Sequence, residues 1–419
     1  MPSTDSPRVP PAVAAVAPKP GAVQVTEGER LRSVGLPGVT LTVRSRPGTR
    51  EGLPPALYVH GLGGSSQNWS ALMPHLEDVV DGEAVDLPGF GDSPPPDDGN
   101  YSVTGHARAV IRYLEAERRG PVHLFGNSLG GAVATRVAAV RPDLVRTLTL
   151  VSPALPEIRV QRTALPTGLL AVPGVASLFT RLTKEWTAEQ RVSGVTALCY
   201  GDPGSVSPEG FRAAVEEMER RLQLPYFWDA MARSARGIVN AYTLGGQHGL
   251  WRQAARVLAP TLLVYGGRDQ LVSYRMAARA ARTFPESRLL TLPDAGHVAM
   301  MEYPETVATA FRELLADSEA LNGTPVPGEA RERSGPRSGS ASGSGSASGS
   351  GSASGSGSGV GAVQDEAGES VEARGSLEAR ESSETRETRQ TQTHQTQTHQ
   401  THEAHDAPDS TTHRSKLGS

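Results

Sequence analysis

The stretch from Val122 to Val140, VHLFGNSLGGAVATRVAAV, joins a short apolar run, a serine flanked by glycines and a helical pattern. The run Val122 to Phe125 is typical of a buried strand, and the residues from Leu129 onward repeat at helical spacing. This order predicts a strand, a tight turn that carries Ser128, and a helix. Glycines at 126 and 130 suit a turn whose backbone is crowded and strained. A plain glycine-rich turn is the alternative interpretation.

Further apolar runs on both sides of this stretch each stop at Gly, Pro, Asp or Ser. They lie at 56–59, 84–85, 148–151, 261–265 and 289–292, and residues 39–45 alternate like a half-exposed strand. Helical patterns at 104–118 and 304–315 lie between or after these runs. Strands that alternate with helices predict an α/β fold with a mostly parallel central sheet flanked by helices.

The composition divides the chain into four parts. Residues 1–30 are predicted to be unstructured, and 31–153 together with 251–317 to form the α/β core. Residues 154–250 contain no buried-strand pattern and are predicted to form an inserted helical cap. Residues 318–419 are mostly Ser, Gly, Thr, Gln, Glu and Arg, contain no aromatic residue, and are predicted to be a disordered low-complexity tail.

Charge and cysteine content exclude several classes of function. The tail carries 14 acidic and 9 basic residues, so the total of −4 leaves the preceding 317 residues at about +1, with no basic face for nucleic acid. A single cysteine, Cys199, excludes an intramolecular disulfide framework and a cluster of cysteine metal ligands. No apolar run is long enough to span a membrane and no signal peptide is evident, so we expect a cytoplasmic protein. We expect no cofactor and no metal.

Three residues at predicted strand ends point to nucleophilic catalysis. A serine hydroxyl needs a neighbouring base, and an imidazole is suited to that task. His297 follows the last strand run and Asp269 follows the run before it, so both should share the carboxyl edge of the sheet with Ser128. Asp269 is expected to orient the imidazole. Asp294 is the competing carboxylate, but it is close to His297 in sequence and more plausibly shapes the loop.

The loop His60-Gly61-Leu62-Gly63-Gly64 follows another strand run at the same edge. Backbone amides held at fixed positions can stabilise the oxyanion of a tetrahedral intermediate. We assign this role to the amides of Leu62 and Leu129. A phosphate cradle is the alternative, but the loop has neither a Gly-Lys-Ser/Thr sequence nor the spacing of a dinucleotide-binding loop.

At this point the chain resembles the α/β-hydrolase superfamily over about residues 39–317. The resemblance rests on His-Gly-Leu-Gly-Gly at 60–64, Asp-Leu-Pro-Gly-Phe-Gly-Asp-Ser at 86–93, Gly-Asn-Ser-Leu-Gly-Gly at 126–131, Gly-Gly-Arg-Asp at 266–269 and Ala-Gly-His at 295–297. It implies that Ser128 is the nucleophile, Asp269 the acid and His297 the base, under a helical cap. Epoxide hydrolases and haloalkane dehalogenases of this fold carry an aspartate at the position of Ser128, so their chemistry is disfavoured.

The expected function is therefore serine hydrolysis of an ester-type small molecule (carboxylester, lactone or thioester) through an acyl-enzyme. Cleavage of carbon–carbon bonds in dienoic ketoacids, a perhydrolase-like activity, and ligand binding without catalysis remain as alternatives. The expected partner is a small, apolar acyl substrate, and the sequence does not indicate an oligomeric state. Aromatic residues could line the acyl pocket or form the core of the cap. The candidate pocket residues are Gly61, Trp69, Trp186, Phe227 and Trp228.

Overall fold

A computed structural model describes residues 26–157, 159, 161–243 and 249–323. The predictions for most of the N-terminal segment and of the tail therefore lie outside the described residues. Two of the predicted boundaries change within them. The first strand begins at Arg30, and the last helix continues to Gly323, six residues into the predicted tail.

Within the described residues, eight strands form one sheet. They are β1 (Arg30–Leu36), β2 (Val39–Arg46), β3 (Pro55–Val59), β4 (Asp81–Val85), β5 (Val122–Asn127), β6 (Val145–Val151), β7 (Thr261–Gly266) and β8 (Ser287–Leu292). Their order across the sheet is β1-β2-β4-β3-β5-β6-β7-β8. Pairing is antiparallel between β1 and β2 and between β2 and β4, and parallel at every other interface. The prediction of a mostly parallel central sheet is confirmed.

Helices cover the sheet and fill the insertion between β6 and β7. The core helices are α1 (Val103–Glu117) and α2 (Leu129–Val140). Between β6 and β7 lie α3 (Leu165–Leu169), α4 (Val175–Leu182), α5 (Ala188–Cys199), α6 (Pro208–Leu222), α7 (Phe227–Thr243) and α8 (Leu250–Ala254). The chain then adds α9 (Met276–Thr283), α10 (Ala299–Glu302) and α11 (Pro304–Gly323). Short 3-10 turns occupy Ser66–Trp69, Met73–Leu76, Pro142–Leu144, Arg162–Ala164 and Pro203–Ser205.

Local sequence signals set several helix starts. The Ser102 hydroxyl accepts a hydrogen bond from the Gly105 amide at 3.0 Å and caps α1. Thr187 and Gln190 form a reciprocal capping box at the start of α5. Ser207 caps α6, where Pro208 occupies the first helical position and loses no intrahelical hydrogen bond. These caps fix where α1, α5 and α6 begin.

The alternation of side chains along the strands divides the core between the two faces of the sheet. On one face Leu57 and Val59 pack with residues of α1, α2 and α8. On the other face Tyr58 and Phe125 pack with Phe311 of α11, and the Phe125 ring centroid lies 4.4 Å from Tyr58 and 4.8 Å from Phe311. The inner parallel strands β3, β5 and β7 are therefore buried on both faces, whereas the edge strand β8 is partly exposed, and the carboxyl ends of the parallel strands meet at one edge.

Candidate active site

Ser128 occupies a strained turn between β5 and α2. Its backbone has φ 53° and ψ −116°, outside the helical and extended regions open to a serine. The Ser128 amide donates to the Val151 carbonyl at 3.1 Å, and the Ser128 carbonyl accepts from the Ala132 and Ala154 amides. These bonds hold the strained residue at the carboxyl edge of the sheet.

The glycines on either side of Ser128 are required by close backbone approaches. A Cβ at Gly130 would lie 2.2 Å from the Val59 carbonyl oxygen, and a Cβ at Gly126 would lie 2.4 Å from the Gly130 carbonyl oxygen. No larger residue fits at either position without a shift of the backbone. The turn therefore brings α2 directly against the end of β3.

His297 and Asp269 form a buried pair beyond the ends of β8 and β7. The His297 Nδ1 atom lies 2.9 Å from Asp269 Oδ2, and the two side chains are 5% and 1% exposed. Asp269 Oδ1 accepts from the amides of Leu271 and Val272 at 2.8 and 2.9 Å. With Nδ1–H donated to the carboxylate, the Nε2 atom of the neutral imidazole is left as the acceptor.

The environment of Asp269 favours the ionised carboxylate. Burial acts to raise the pKa of this carboxyl, but the adjacent His297 imidazole, its hydrogen bond and the Val272 amide outweigh burial, so the pKa lies below its ordinary value. Asp294 instead pairs with Arg268 on the surface, at 2.7 Å. Asp269 is therefore the carboxylate that contacts His297.

Two contacts link the serine turn to its neighbours. The side chain of Asn127, the residue before Ser128, donates from Nδ2 to the carbonyls of His297 and Val151 at 3.0 and 3.1 Å. A Cβ at Gly61 would lie only 3.1 Å from the Ser128 Cβ. The structure thus gathers Ser128, the His297 loop and the Gly61 loop at one edge of the sheet.

The two predicted oxyanion donors lie at this edge. Leu129 is the first residue of α2, so its N–H has no acceptor within the helix. Leu62 lies in a turn that is closed by a hydrogen bond from the Gly64 amide to the Gly61 carbonyl at 3.1 Å. Neither the Leu62 nor the Leu129 amide donates a hydrogen bond to another of the described residues. Each amide therefore keeps a free donor at this edge of the sheet.

Sequence reasoning missed a second layer of contacts around His297. The His297 amide donates to the carbonyl of Cys199, at the end of α5, at 2.6 Å. The two carboxylate oxygens of Glu302 accept from Gly296 and Gly201, each at 2.8 Å. Burial is the largest cause of the raised pKa of the Glu302 carboxyl. Glu302 thereby ties the His297 loop to the segment that follows α5.

The predicted pocket residues fall into different environments. Trp69 is fully buried in the core, 5.3 Å from Tyr58 between ring centroids, because the turn Ser66–Trp69 directs its indole inward. It forms part of the sheet packing rather than an open pocket wall, which corrects the prediction. Trp186 is 48% exposed, Phe227 is buried, and Trp228 packs 5.5 Å from Phe179.

A cavity of about 490 Å³ lies between α4 and α7. Trp228 lines it together with Val172, Thr180, Arg233 and Arg236, and none of Ser128, Asp269 or His297 does.

Within residues 26–323, apart from the gaps given above, no three His, Cys, Asp or Glu side chains are grouped to hold a metal ion. None of the helices described in this structure is long and apolar enough to cross a bilayer.

Proteins similar to this chain include an acetyltransferase component and an esterase. The chain is 28% identical over 259 residues to the dihydrolipoyllysine-residue acetyltransferase component of the acetoin cleaving system of Cupriavidus necator. That alignment covers 62% of each chain, so this chain spans less than two thirds of that relative. It is 27% identical to a pimeloyl-[acyl-carrier protein] methyl ester esterase of Neisseria meningitidis, over 65% of this chain and 97% of the esterase.

Solved structures show the same fold with different chemistry. Haloalkane dehalogenase from Bradyrhizobium elkani superposes with a TM-score of 0.57 and 23% identity, over 70% of this chain and 99% of the dehalogenase. The likeness therefore supports the fold and leaves the reaction to the site residues. A family model for the alpha/beta hydrolase fold matches residues 54–304, which is more than half of the chain. The chain belongs to the α/β-hydrolase family.

Proposed function

We propose that the protein is a serine esterase that acts on a small, ester-type substrate with an apolar acyl group. The observation that carries the proposal is the buried His297–Asp269 pair at the sheet edge that also holds the strained Ser128. Membership of a hydrolase family and similarity to a methyl ester esterase support the class of reaction. The apolar side chains of Leu62 and Met231, which lie at the Gly61–Gly64 loop beside the site, support an apolar acyl group.

The proposed reaction proceeds through an acyl-enzyme. Ser128 Oγ attacks the carbonyl carbon while its proton passes to His297 Nε2, and the amides of Leu62 and Leu129 receive the oxyanion. The carbon–oxygen bond to the leaving alcohol then breaks, and the alcohol takes the proton from His297. Water adds by the same route and releases the carboxylic acid and free Ser128. Asp269 keeps the imidazole in the required tautomer and stabilises its positive charge.

The ionic state of Asp269 bears on this mechanism. Because its pKa lies below the ordinary value, the carboxylate stays charged at neutral pH. A charged carboxylate beside Nδ1–H favours the proton on that nitrogen and makes Nε2 the more basic atom. The pair is therefore suited to accept a proton from Ser128.

The test is covalent labelling with a fluorophosphonate probe, followed by mass spectrometry to locate the adduct. Wild-type protein should be labelled on Ser128, and Ser128→Ala should lose the label and at least about 10⁴-fold in kcat on p-nitrophenyl esters. Ser193→Ala is the control, because Ser193 is exposed on α5 and its hydroxyl donates to the Glu189 carbonyl of the same helix. Its adduct should remain on Ser128.

A panel of carboxylesters, thioesters, lactones and dienoic ketoacids would then define the bond that is cleaved. Turnover of esters, with a preference for longer acyl chains, is the expected result. A folded wild-type protein that takes up no probe and turns over no member of the panel would contradict the enzyme proposal and favour ligand binding on the same fold.

A further inference from the structure

Arg221, near the end of cap helix α6, reaches the loop that carries the proposed oxyanion donor. Its Nη1 atom donates to the Gly63 carbonyl at 2.7 Å, and its Nη2 atom donates to the Ser65 hydroxyl at 2.9 Å. Its Nε atom donates to Glu217, one helical turn earlier, at 2.6 Å. The hydrogen bonds that the structure gives this guanidinium all go to the loop or to its own helix. The residue is only 9% exposed.

The loop that accepts these hydrogen bonds has a glycine in a conformation that other residues rarely adopt. Gly63 has φ +70°, and a Cβ there would lie 3.0 Å from the Met231 sulfur of α7. The loop therefore adopts a left-handed conformation beneath α7 while its carbonyl is held by α6. Leu62, whose amide is the proposed oxyanion donor, is the residue before Gly63 and belongs to the same short turn.

The contact is strong enough to bias the loop. Hydrogen bonds from a guanidinium are charge-assisted, and two such bonds to different groups of one loop restrain its geometry. Glu217 is also buried and balances the charge, and its pKa is lowered even though burial acts in the opposite direction, because Arg221 and Arg220 lie beside it. The adjacent Arg220 differs, because its contacts are to Glu217 and Asp92 and not to the Gly61–Gly64 turn.

We propose that Arg221 is a positioning residue that couples the seating of the cap on the core to the orientation of the Leu62 amide in the oxyanion hole. When α6 is seated, the guanidinium fixes the Gly63 peptide and with it the turn that presents the Leu62 N–H. When α6 shifts, that restraint is lost and the oxyanion loses one aligned donor. This inference rests on the proposed esterase function.

The test compares Arg221→Met and Arg221→Lys with Arg220→Met, a matched change on the same helix. Arg221→Met should lower kcat by about 10- to 100-fold with little change in KM, because a misplaced donor weakens only the transition state. Arg221→Lys keeps the charge and one donor to the loop, so it should recover part of the loss. Arg220→Met breaks the buried ion pair with Glu217 but leaves the loop contacts in place, so it should lower the melting temperature and keep kcat within about threefold of wild type.

A second measurement separates positioning from general destabilisation. A trifluoromethyl ketone forms a hemiketal anion with the serine and needs the oxyanion donors, whereas the matching methyl ketone binds without forming one. Affinity for the fluorinated inhibitor should fall in parallel with kcat across the variants, and affinity for the methyl ketone should not. Melting temperatures recorded on the same samples confirm that each variant is folded.

Wild-type kcat in folded Arg221→Met would overturn the inference. So would an equal loss in Arg220→Met, or an equal loss of affinity for the two ketones. Failure of the esterase proposal gives a different pattern, because the wild-type protein itself would then neither turn over esters nor bind the fluorinated ketone covalently.

Discussion

At the scale of single residues, Asp269 shows how burial and hydrogen bonding compete. Its buried carboxylate accepts hydrogen bonds from two backbone amides and contacts the imidazole of His297. A carboxyl whose pKa is lowered in the folded state stabilises the fold fully above the unfolded pKa, and this stabilisation is lost as pH falls through the lower, folded value. The stabilisation by Asp269 should therefore begin to fall near pH 3.8, the ordinary pKa of this carboxyl, and should decrease further at lower pH.

Asp269→Asn is expected to reduce the free energy of unfolding by about 1–3 kcal/mol at pH 7, because a charge-assisted hydrogen bond is lost. Below pH 3.8 the difference from wild type should shrink, since the wild-type carboxylate becomes protonated there. Urea unfolding at pH 7, 5, 4 and 3 measures both effects. A difference that stays constant across this range would contradict the interpretation. The same variant should lose about 10³- to 10⁴-fold in kcat at pH 7.

The sequence predicted the residues that follow strands and missed the residues that support them. Ser128, Asp269 and His297 can be located because parallel strands end at one edge of a sheet. Asn127 and Arg221 act through contacts to residues 170 and 158 positions away, which no local pattern encodes. The prediction for Trp69 was wrong for a related reason, because its burial follows from packing against Tyr58 of β3 and Phe125 of β5, which its local sequence does not encode.

At the scale of elements, the edge strand β1 and the start of β4 were missed. β1 has only one buried residue, Val34, so its pattern resembles a loop. β4 begins with Asp81, and its buried Glu83 is satisfied by the Tyr113 hydroxyl at 2.6 Å and by Arg32. A polar residue that is paired by other elements cannot be recognised from the strand sequence alone.

Glu302 joins two elements that are distant in sequence. Glu302→Gln should leave one of the Gly201 and Gly296 amides facing an NH₂ group, which costs about 1–3 kcal/mol. We expect a lower melting temperature and a lower kcat, because the His297 loop loses one of its restraints. Glu305→Gln is the control, since Glu305 is exposed, and it should change stability by less than about 0.5 kcal/mol. Unchanged kcat and melting temperature in Glu302→Gln would refute this role.

At the scale of the whole molecule, the sheet core and the inserted helices use tryptophan differently. Trp69 is fully buried among aromatic residues beside the sheet, whereas Trp186 is about half exposed and lies before α5. Trp69→Ala should reduce the free energy of unfolding by about 3–5 kcal/mol. Trp186→Ala should reduce it by less than about 1 kcal/mol. Chemical denaturation of both variants tests the contrast, which similar losses of stability would contradict.

The helical insertion between β6 and β7 has a further consequence. These strands are direct neighbours in the sheet, with Val151 paired to Val264, so every strand pairing is complete without any of the intervening helices. We therefore expect that a gene segment encoding α3 to α7, without α8 and its packing on the core, can be recombined between relatives while the strands that present Ser128, Asp269 and His297 remain unchanged. New specificity can thus arise by exchange of one contiguous module, provided that the newcomer brings its own contacts to the Gly63 carbonyl and the His297 loop.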